Sequence, residues 1–348
     1  MEKEIKPNIA ITVRPMESGT SGSGMSLSGL VKTLIKEQGY NVILLTTQPA
    51  ELIAGVRHIR LKKFFGFYFL EKSIHIDYLH VVPFTWRYSF LILNKRYKKH
   101  TTIHGFASLE VGNNLVGKVH DLLVRRLLIR YIDDIYTVSC HSKDYIKKLY
   151  GRDAHVLYNG VDAYFPVKSP RDIVEVKSLS NVILHVSNFS HRKNPEFICA
   201  VIDELERSKT NAKFVIVGNG WKDSFVAKKY LTNDAVDVRG FVSESELQEL
   251  FIQARVFMFP SLYEGFGMPN LEAMASGSRV VTSRTGSIPE ILGIHGTSLE
   301  FDVSEWGKTI RDMLLRPYTL KEVLDRQAYV KSYSWERMCK SYTNTISR

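Results

Sequence analysis

Glu264-Gly265-Phe266-Gly267-Met268-Pro269-Asn270-Leu271-Glu272-Ala273-Met274-Ala275-Ser276-Gly277 is the stretch on which the reading of this chain turns. It follows an apolar run, 256–259, with the length and composition of a buried strand. Two glycines and a proline just after a strand do not suit ordinary core. Glycine allows close backbone approach, and proline favours the first turn of a helix. A helix beginning near Pro269 aims its unpaired N–H groups at that point, which suits an anionic group. Glu264 and Glu272 lie eight residues apart, one at the loop start and one a turn into the helix. Carboxylates beside an anion site make sense as grips for the hydroxyls of a sugar or ribose. On spacing alone, a glycine turn flanked by solvated glutamates accounts for the segment equally well.

Outward from this segment, the second half repeats one grammar. Residues 182–186 read as an apolar strand, followed by a polar turn with Arg192, Lys193 and Asn194 and a helix to about Arg207. Residues 213–217 are a strand ended by Gly218-Asn219-Gly220. Residues 243–254 are a helix that Ser243 can cap, and 280–282 a further strand. The first half opens the same way: a strand at 9–13, a Gly/Ser loop at 18–24, a helix with Leu27, Leu30, Val31, Leu34 and Ile35 on one face, and a strand at 41–46. Strand, glycine loop, helix, strand is the start of a doubly wound parallel sheet. Residues 101–105, TTIHG, read as a strand ending at a sheet edge, and 156–166 as the close of the first domain.

Composition sets outer bounds. The 348 residues, 44% hydrophobic and 24% charged, suit two domains with cores of their own. Cys140, Cys199 and Cys339 lie far apart, which argues against a zinc knuckle or a redox pair and fits a reducing compartment. The N-terminus reads as a first strand rather than a signal peptide. The most aromatic run, 64–70, is too short to span a bilayer. The expectation is a cytoplasmic protein, either soluble or peripheral on the inner face of the membrane. Of the net charge of +11, residues 1–165 carry +9. That excess implies an acidic partner for the first half, namely phosphates, anionic lipid or nucleic acid, with solubility alone as the other account. LKKFFGFYFLEK (61–72), NKRYKKH (94–100) and KVHDLLVRRLLIR (118–130) set bases beside aromatics and leucines, a composition that suits an anionic bilayer surface. For the first segment, docking and ordinary strand burial weigh equally. The third reads mostly as a domain helix packed by Leu122, Leu123, Leu127 and Leu128.

The glycine-rich segment resembles the E-x7-E signature of retaining GT-B glycosyltransferases of family 4. The resemblance extends to VSNFSHRKNPEFICAVIDEL (186–205), KFVIVGNG (213–220), VRGFVSESELQELFIQARVFMFPS (238–261) and SRTGSIPEIL (283–292). It also takes in TVSCHSKDYI (137–146), VLYNGVD (156–162) and SWERM (334–338), covers nearly all of 130–340, and is weak over 50–100. It implies an α/β GT-B fold, two Rossmann-like domains with parallel sheets facing across a cleft. On that basis 1–166 would bind the acceptor, 167–325 the nucleotide sugar, and 326–348 would cross back to the first domain.

The resemblance also implies roles. Glu272 would bind the donor ribose and Glu264 would lie against the transferred sugar. Arg192 and Lys193 would neutralise the diphosphate leaving group, a sensible use of fixed cations where charge develops. The backbone of Phe266, Gly267 and Met268 would face sugar and phosphate, and that of Val242 the base. Gly22 and Ser23 sit where the family's glycine-rich loop approaches the diphosphate, although this loop departs from the commoner Gly-Gly-x-Glu form. His104 matches the family's histidine near the donor sugar. No Asp-x-Asp motif occurs in the sequence, which argues against the metal-dependent GT-A type, so no metal and no cofactor is expected. The implied activity is a retaining, metal-independent transfer of a hexose-type sugar from a UDP-, GDP- or dTDP-linked donor to a glycan or lipid-diphosphate-linked acceptor. Bacterial lipopolysaccharide, O-antigen or capsule synthesis is the implied setting. A GT-B-shaped sugar-nucleotide epimerase is the rival enzyme reading. A basic nucleic-acid binder is the rival from another class, but no helix-turn-helix, RNP or zinc signature supports it, and no nucleic-acid partner is expected.

Overall fold

The computed structural model describes residues 6–13, 22–37, 39–47, 56–111, 115–161 and 168–346. Residues 18–21 of the Gly/Ser loop and 162–167, where the expected domain boundary falls, lie outside the described residues. The chain forms two compact units, Met1–Gly160 with Trp335–Arg348, and Val161–Ser334.

The first unit is built on a parallel sheet of β1 (Asn8–Val13), β2 (Asn41–Thr46), β3 (Arg57–Arg60), β6 (Tyr78–Val81), β7 (Lys98–Ile103), β8 (Asp134–Thr137) and β9 (His155–Val156), in the order β3-β2-β1-β6-β7-β8-β9. A small antiparallel hairpin of β4 (Lys62–Phe64) and β5 (Phe67–Phe69) stands apart from it. Parallel strands covered on both faces must be apolar on both, and Ile9, Ala10 and Ile11 of β1 are fully buried. The helix Gly22–Glu37 returns the chain to β2. It starts earlier than the sequence suggests, because Gly22 and Gly24 are taken into its first turn. The last helix, Trp335–Ile346, buries Met338, Cys339, Tyr342 and Ile346, an i, i+1, i+4, i+8 stripe, in the core that also holds Leu27, Leu30 and Leu34. A Cβ at Gly29 would fall 2.3 Å from the Trp335 ring, so these two helices cross where only glycine leaves room.

The helical stretch 115–131 corrects one expectation. It is interrupted by a wide turn over His120–Val124, and of its five leucines only Leu128 is buried. Leu122, Leu123 and Leu127 are exposed. The stretch meets the core through Val124, Leu128 and Ile129 instead, which leaves those three leucines on its outer side. No described helix is long and apolar enough to cross a membrane.

The second unit has a parallel sheet of β10 (Val182–Val186), β11 (Lys213–Val217), β12 (Val236–Val238), β13 (Val256–Phe259), β14 (Arg279–Ser283) and β15 (Thr297–Leu299), ordered β12-β11-β10-β13-β14-β15. Every residue of β13 is buried, as a central strand demands. The helix Pro195–Arg207 turns Ile198, Cys199, Val201, Ile202 and Leu205 into the core beside Trp306 and Ile310 of the helix Val303–Leu315. Each such side chain contributes roughly 1.5–3 kcal/mol by leaving water. Order reverses between β10 and β13, and in open parallel sheets the loops at the carboxyl ends of such strands hold ligands.

Candidate active site

The loop after β10 and the loop after β13 meet at one carboxylate. Glu264 is 8% exposed, and its Oε1 accepts from Lys193 Nζ at 2.6 Å, Arg192 Nη1 at 2.7 Å and Ser261 Oγ at 2.7 Å. Arg192 and Lys193 lie in a tight turn, His191–Lys193, that ends at Asn194 in the left-handed conformation, φ 58°. Asparagine tolerates that region, and Pro195 then starts the next helix. Arg192 is drawn toward Glu264 by a second bond, Nη1 to the Tyr263 carbonyl at 2.8 Å, and its own carbonyl accepts from Leu262 N at 2.8 Å. Lys193 also lies 4.5 Å from the centre of the Phe259 ring, a favourable cation–π distance.

Burial by itself would raise the pKa of Glu264, but the charges of Lys193 and Arg192 outweigh it and hold the carboxyl at about 2. Burial lowers Lys193 from its ordinary value, with Glu264 opposing. One carboxylate against two cations leaves the cluster with a net positive charge. Behind it, His185 is held neutral by burial, its pKa lowered to about 3. Its Nδ1 donates to the Met258 carbonyl at 2.9 Å, and its Nε2 accepts from Ser187 Oγ at 2.7 Å.

The backbone around Glu264 is pinned from the opposite side. Its carbonyl accepts from Ser287 N at 3.1 Å and Ser287 Oγ at 3.0 Å. At Gly286, φ 54°, a Cβ would stand 2.5 Å from the same carbonyl. Gly267, φ 86°, starts the helix Met268–Ala275 with Pro269 in its first turn. The chain thus turns back within a few residues of Glu264 and sets a helix N-terminus next to it. Phe266 and Met268 are buried on either side of that turn. Glu272 is 4% exposed in the same helix, and its carboxyl has no hydrogen-bond or ion-pair partner among the described residues. Burial alone pushes its pKa from 4.5 up to about 8. Val242 is half-buried between β12 and the helix Glu244–Gln253, which Ser243 caps by accepting from Glu246 N at 3.2 Å.

The structure therefore brings Arg192, Lys193 and Glu264 into direct contact, with Gly267 next to them, a Cβ there falling 3.9 Å from Glu264 Cβ. Ser261, Gly286 and Ser287 belong to the same arrangement and were not singled out from sequence. Ser261 closes the segment 238–261 and Gly286 lies in SRTGSIPEIL, so the signal was present in the segments rather than in the residue types. Gly22, Ser23 and His104 belong to the first unit. Gly22 opens the helix Gly22–Glu37, and the side chain of Ser23 lies outside what the structure describes. His104 directly follows β7. Burial, then the charge of Arg125, lowers its pKa to about 4. No group of three or more His, Cys, Asp or Glu is placed to hold a metal ion among the described residues.

With this geometry in hand, residues 169–330 match the family Glycosyl transferases group 1. That stretch is a group 1 glycosyl transferase domain. Among relatives in sequence, the O-antigen chain mannosyltransferase B of Escherichia coli is 28% identical over 60% of this chain and 58% of its own length. The chain spans less than two thirds of the length of the relatives it matches in sequence. Among solved structures, the sucrose-phosphate synthase of Thermosynechococcus elongatus superposes with a TM-score of 0.78 at 17% identity, covering 98% of each chain. Anabaena Alr3699/HepE in complex with UDP and glucose superposes with a TM-score of 0.73 at 17% identity, covering 97% of this chain and 99% of that one. The fold is GT-B, with two Rossmann-like units each built on a parallel sheet.

Proposed function

We propose that this glycosyl transferase moves a hexose-type sugar from a UDP-, GDP- or dTDP-linked donor to a glycan or lipid-diphosphate-linked acceptor, with retention of anomeric configuration. The observation that carries the proposal is the Arg192–Lys193–Glu264 cluster standing beside the N-terminus of the helix Met268–Ala275. In the transfer the bond from C1 to the diphosphate oxygen breaks and its electron pair leaves with the diphosphate. A bond from C1 to the acceptor oxygen forms, and the acceptor proton passes to the departing phosphate. The negative charge grows on the leaving group, where the two cations and the helix N-terminus stabilise it. These cations do the work for which other enzymes use a metal, so transfer should persist in excess chelator.

Glu264 anchors the cations through Oε1 and faces the sugar with Oε2. Glu272 takes the ribose hydroxyls, the backbone of Phe266, Gly267 and Met268 meets sugar and phosphate, and that of Val242 the base. The complex of Alr3699/HepE with UDP and glucose and the O-antigen role of the Escherichia coli relative support a nucleotide-sugar donor and a surface-polysaccharide acceptor. A thermal-shift screen of UDP, GDP, dTDP and their sugars tests the donor side, since a bound nucleotide raises the melting temperature. Incubation with the stabilising nucleotide sugar then separates transfer from epimerisation. A new glycosidic bond of unchanged anomeric configuration is expected. Isomerised free nucleotide sugar without an acceptor product would favour the epimerase reading and overturn this one.

A second element of the proposal is a peripheral position on the inner face of the cytoplasmic membrane. Phe64 and Phe65 are 66% and 85% exposed at the tip of the β4–β5 hairpin, next to Lys62 and Lys63. Leu115, Val116, Leu123 and Leu127 are exposed on a helical stretch that also carries Lys118, Arg126 and Arg130. Contiguous exposed apolar side chains are uncommon on soluble surfaces, and bases near an anionic surface each contribute about 1 kcal/mol. Sedimentation with anionic and neutral vesicles is the check. Salt-sensitive binding to anionic vesicles, weakened by Phe65→Ser and by Leu123→Ser, is expected. Equal binding to both vesicle types, or none to either at low salt, would defeat it.

A further inference from the structure

Both segments that hold Glu264 in place lean on one pair of tyrosines. The Glu264 carbonyl is fixed by Ser287, the N-cap residue of the short helix Ile288–Leu292. The start of that helix packs against the Gly267 turn, where a Cβ would stand 3.8 Å from Ile288 Cγ1. At its other end, carbonyls of the last turn have no partner within the helix. The Ile291 carbonyl accepts instead from the Tyr329 hydroxyl at 2.9 Å. The Tyr333 hydroxyl lies 3.0 Å from that of Tyr329 and 3.4 Å from the same carbonyl. A hydroxyl has one hydrogen to donate, so Tyr329 spends its own on Ile291 and Tyr333 backs the pair.

The other segment is the loop after β13. The Phe266 ring meets the Tyr333 ring edge to face, with centres 6.0 Å apart and planes at 69°, a favoured arrangement for aromatic pairs. Phe266 lies two residues after Glu264 and one before Gly267, so seating its ring fixes the backbone that turns between them. Tyr333 is buried and is pinned by its own main chain. Its carbonyl accepts from Val161 N at 3.0 Å, and its N–H donates to the Val330 carbonyl at 2.9 Å. The His295 ring stacks on Tyr329 at 4.4 Å. One side chain thus reaches the loop after β13 through its ring and the helix after β14 through its hydroxyl.

We propose that Tyr333 is a positioning residue of the donor site, one that sets the turn Glu264–Gly267 through Phe266 and through the helix Ile288–Leu292. The proposal rests on the nucleotide-sugar reading above. Tyr333 acts on the ligand through its neighbours, by fixing where Glu264 and the backbone of Phe266, Gly267 and Met268 stand. Hydrogen bonds weaken steeply as their angle departs from the preferred range. Losing one that involves a charged group corresponds to roughly a 10- to 150-fold change in affinity.

The experiment measures binding of UDP, GDP and dTDP and of the corresponding nucleotide glucoses to the full chain, with urea midpoints alongside. Tyr333→Leu, which removes ring and hydroxyl, should weaken the nucleotide sugar that the wild type binds by roughly 10- to 150-fold. Tyr333→Phe keeps the ring against Phe266 and should restore most of that affinity. Tyr329→Phe combined with Tyr333→Phe strips the Ile291 carbonyl of both donors and should lose it again. Tyr318→Leu is the control for stability alone. Tyr318 is equally buried in the same unit, but it lies against Arg255 and Arg279, at the amino ends of β13 and β14 and so at the opposite end of β13 from Glu264. Its loss should lower the urea midpoint and leave the affinity in place. Wild-type affinity in Tyr333→Leu would overturn the proposal. An equal loss in Tyr318→Leu would also overturn it, since the effect would then follow stability rather than position. No recovery in Tyr333→Phe would overturn it as well, because the ring against Phe266 would then not matter. Undiminished affinity in the double phenylalanine variant has the same consequence, and that variant removes only two oxygen atoms, so it decides the question even where Tyr333→Leu does not fold. Failure of the wild type to bind any of these nucleotides would defeat the donor reading itself and this proposal with it.

Discussion

Replacing Glu272 by Gln should remove a pH dependence of stability that the wild-type protein carries between pH 5 and 8. Glu272 is nearly fully buried, has no polar partner among the described residues, and is pushed by burial from 4.5 up to about 8. A folded-state pKa above the unfolded value means that the native protein holds a proton the unfolded chain has released. The stability contributed is complete below the unfolded pKa and is lost as pH rises toward 8. Each pH unit in that window removes about 1.4 kcal/mol, so the step from pH 5 to pH 8 removes about 4 kcal/mol, with about 8 as the upper limit of the window. Glutamine has the same shape and does not titrate. The difference in unfolding free energy between Glu272→Gln and wild type should therefore grow by about 4 kcal/mol across those three units, read from urea midpoints at stepped pH. The same logic reaches binding. A ribose gripped by the carboxylate favours the ionised form, so nucleotide binding at pH 7 should release a proton, seen by calorimetry in buffers of different ionisation enthalpy. That release should be absent in Glu272→Gln. Parallel stability curves for the two proteins would refute the reasoning, because they would mean that the carboxyl is already ionised and paired.

Lys193→Met should lower stability by roughly 3–5 kcal/mol at neutral pH, since it leaves a buried carboxylate with one cation fewer. Glu264→Gln added to it should recover part of the loss, and recovery of nothing would count against a buried pair. In the wild type the Glu264 contribution is present above pH 4.5 and is lost as pH falls toward about 2. His80, His100 and His185 are buried and held neutral, His80 well below 6.5, His100 at about 4 and His185 at about 3, burial being the leading cause in each. Their folded-state values lie below the unfolded ones, so they contribute stability above about pH 6.5 that is lost as pH falls toward 4. Unfolding at pH 5 should take up protons, and His185→Phe should reduce that uptake by about one if the linkage holds.

The fold was legible because its signal is redundant. Parallel strands buried on both faces, such as Val256–Phe259, are short apolar runs, and each is followed by a glycine or a helix start that only one topology uses. What escaped was everything that depends on which neighbour arrives from far along the chain. The leucines 122, 123 and 127 have the period of a packed helix, yet period alone does not say whether the apolar side meets the core, and here it does not. Gly22 to Gly24 read as loop because glycine and serine are poor helix formers. The first turn of Gly22–Glu37 tolerates them because packing of Leu27, Leu30 and Leu34, and the close crossing at Gly29, supply what propensity lacks.

The two glutamates of the deciding segment carry the same lesson into chemistry. Sequence makes Glu264 and Glu272 look alike: one residue type, eight positions apart, each beside a glycine-rich turn. The structure assigns them opposite protonation. Glu264 meets Lys193, Arg192 and Ser261, arriving from two loops, and is held at about 2. Glu272 meets no partner and is raised to about 8. Burial acts on both in the same direction, so the cations, helped by the Ser261 hydroxyl, make the difference. The cations come from a turn 71 and 72 residues upstream that lies next to Glu264 only because β10 and β13 are neighbours in the sheet. An ionised Glu264 is permanently spent on ordering the two cations that a diphosphate would meet. A protonated Glu272 is a group in reserve, able to ionise when a ligand supplies the donors that the protein itself withholds. On this argument the titration of Glu272, rather than that of Glu264, is what should couple to the nucleotide near neutral pH.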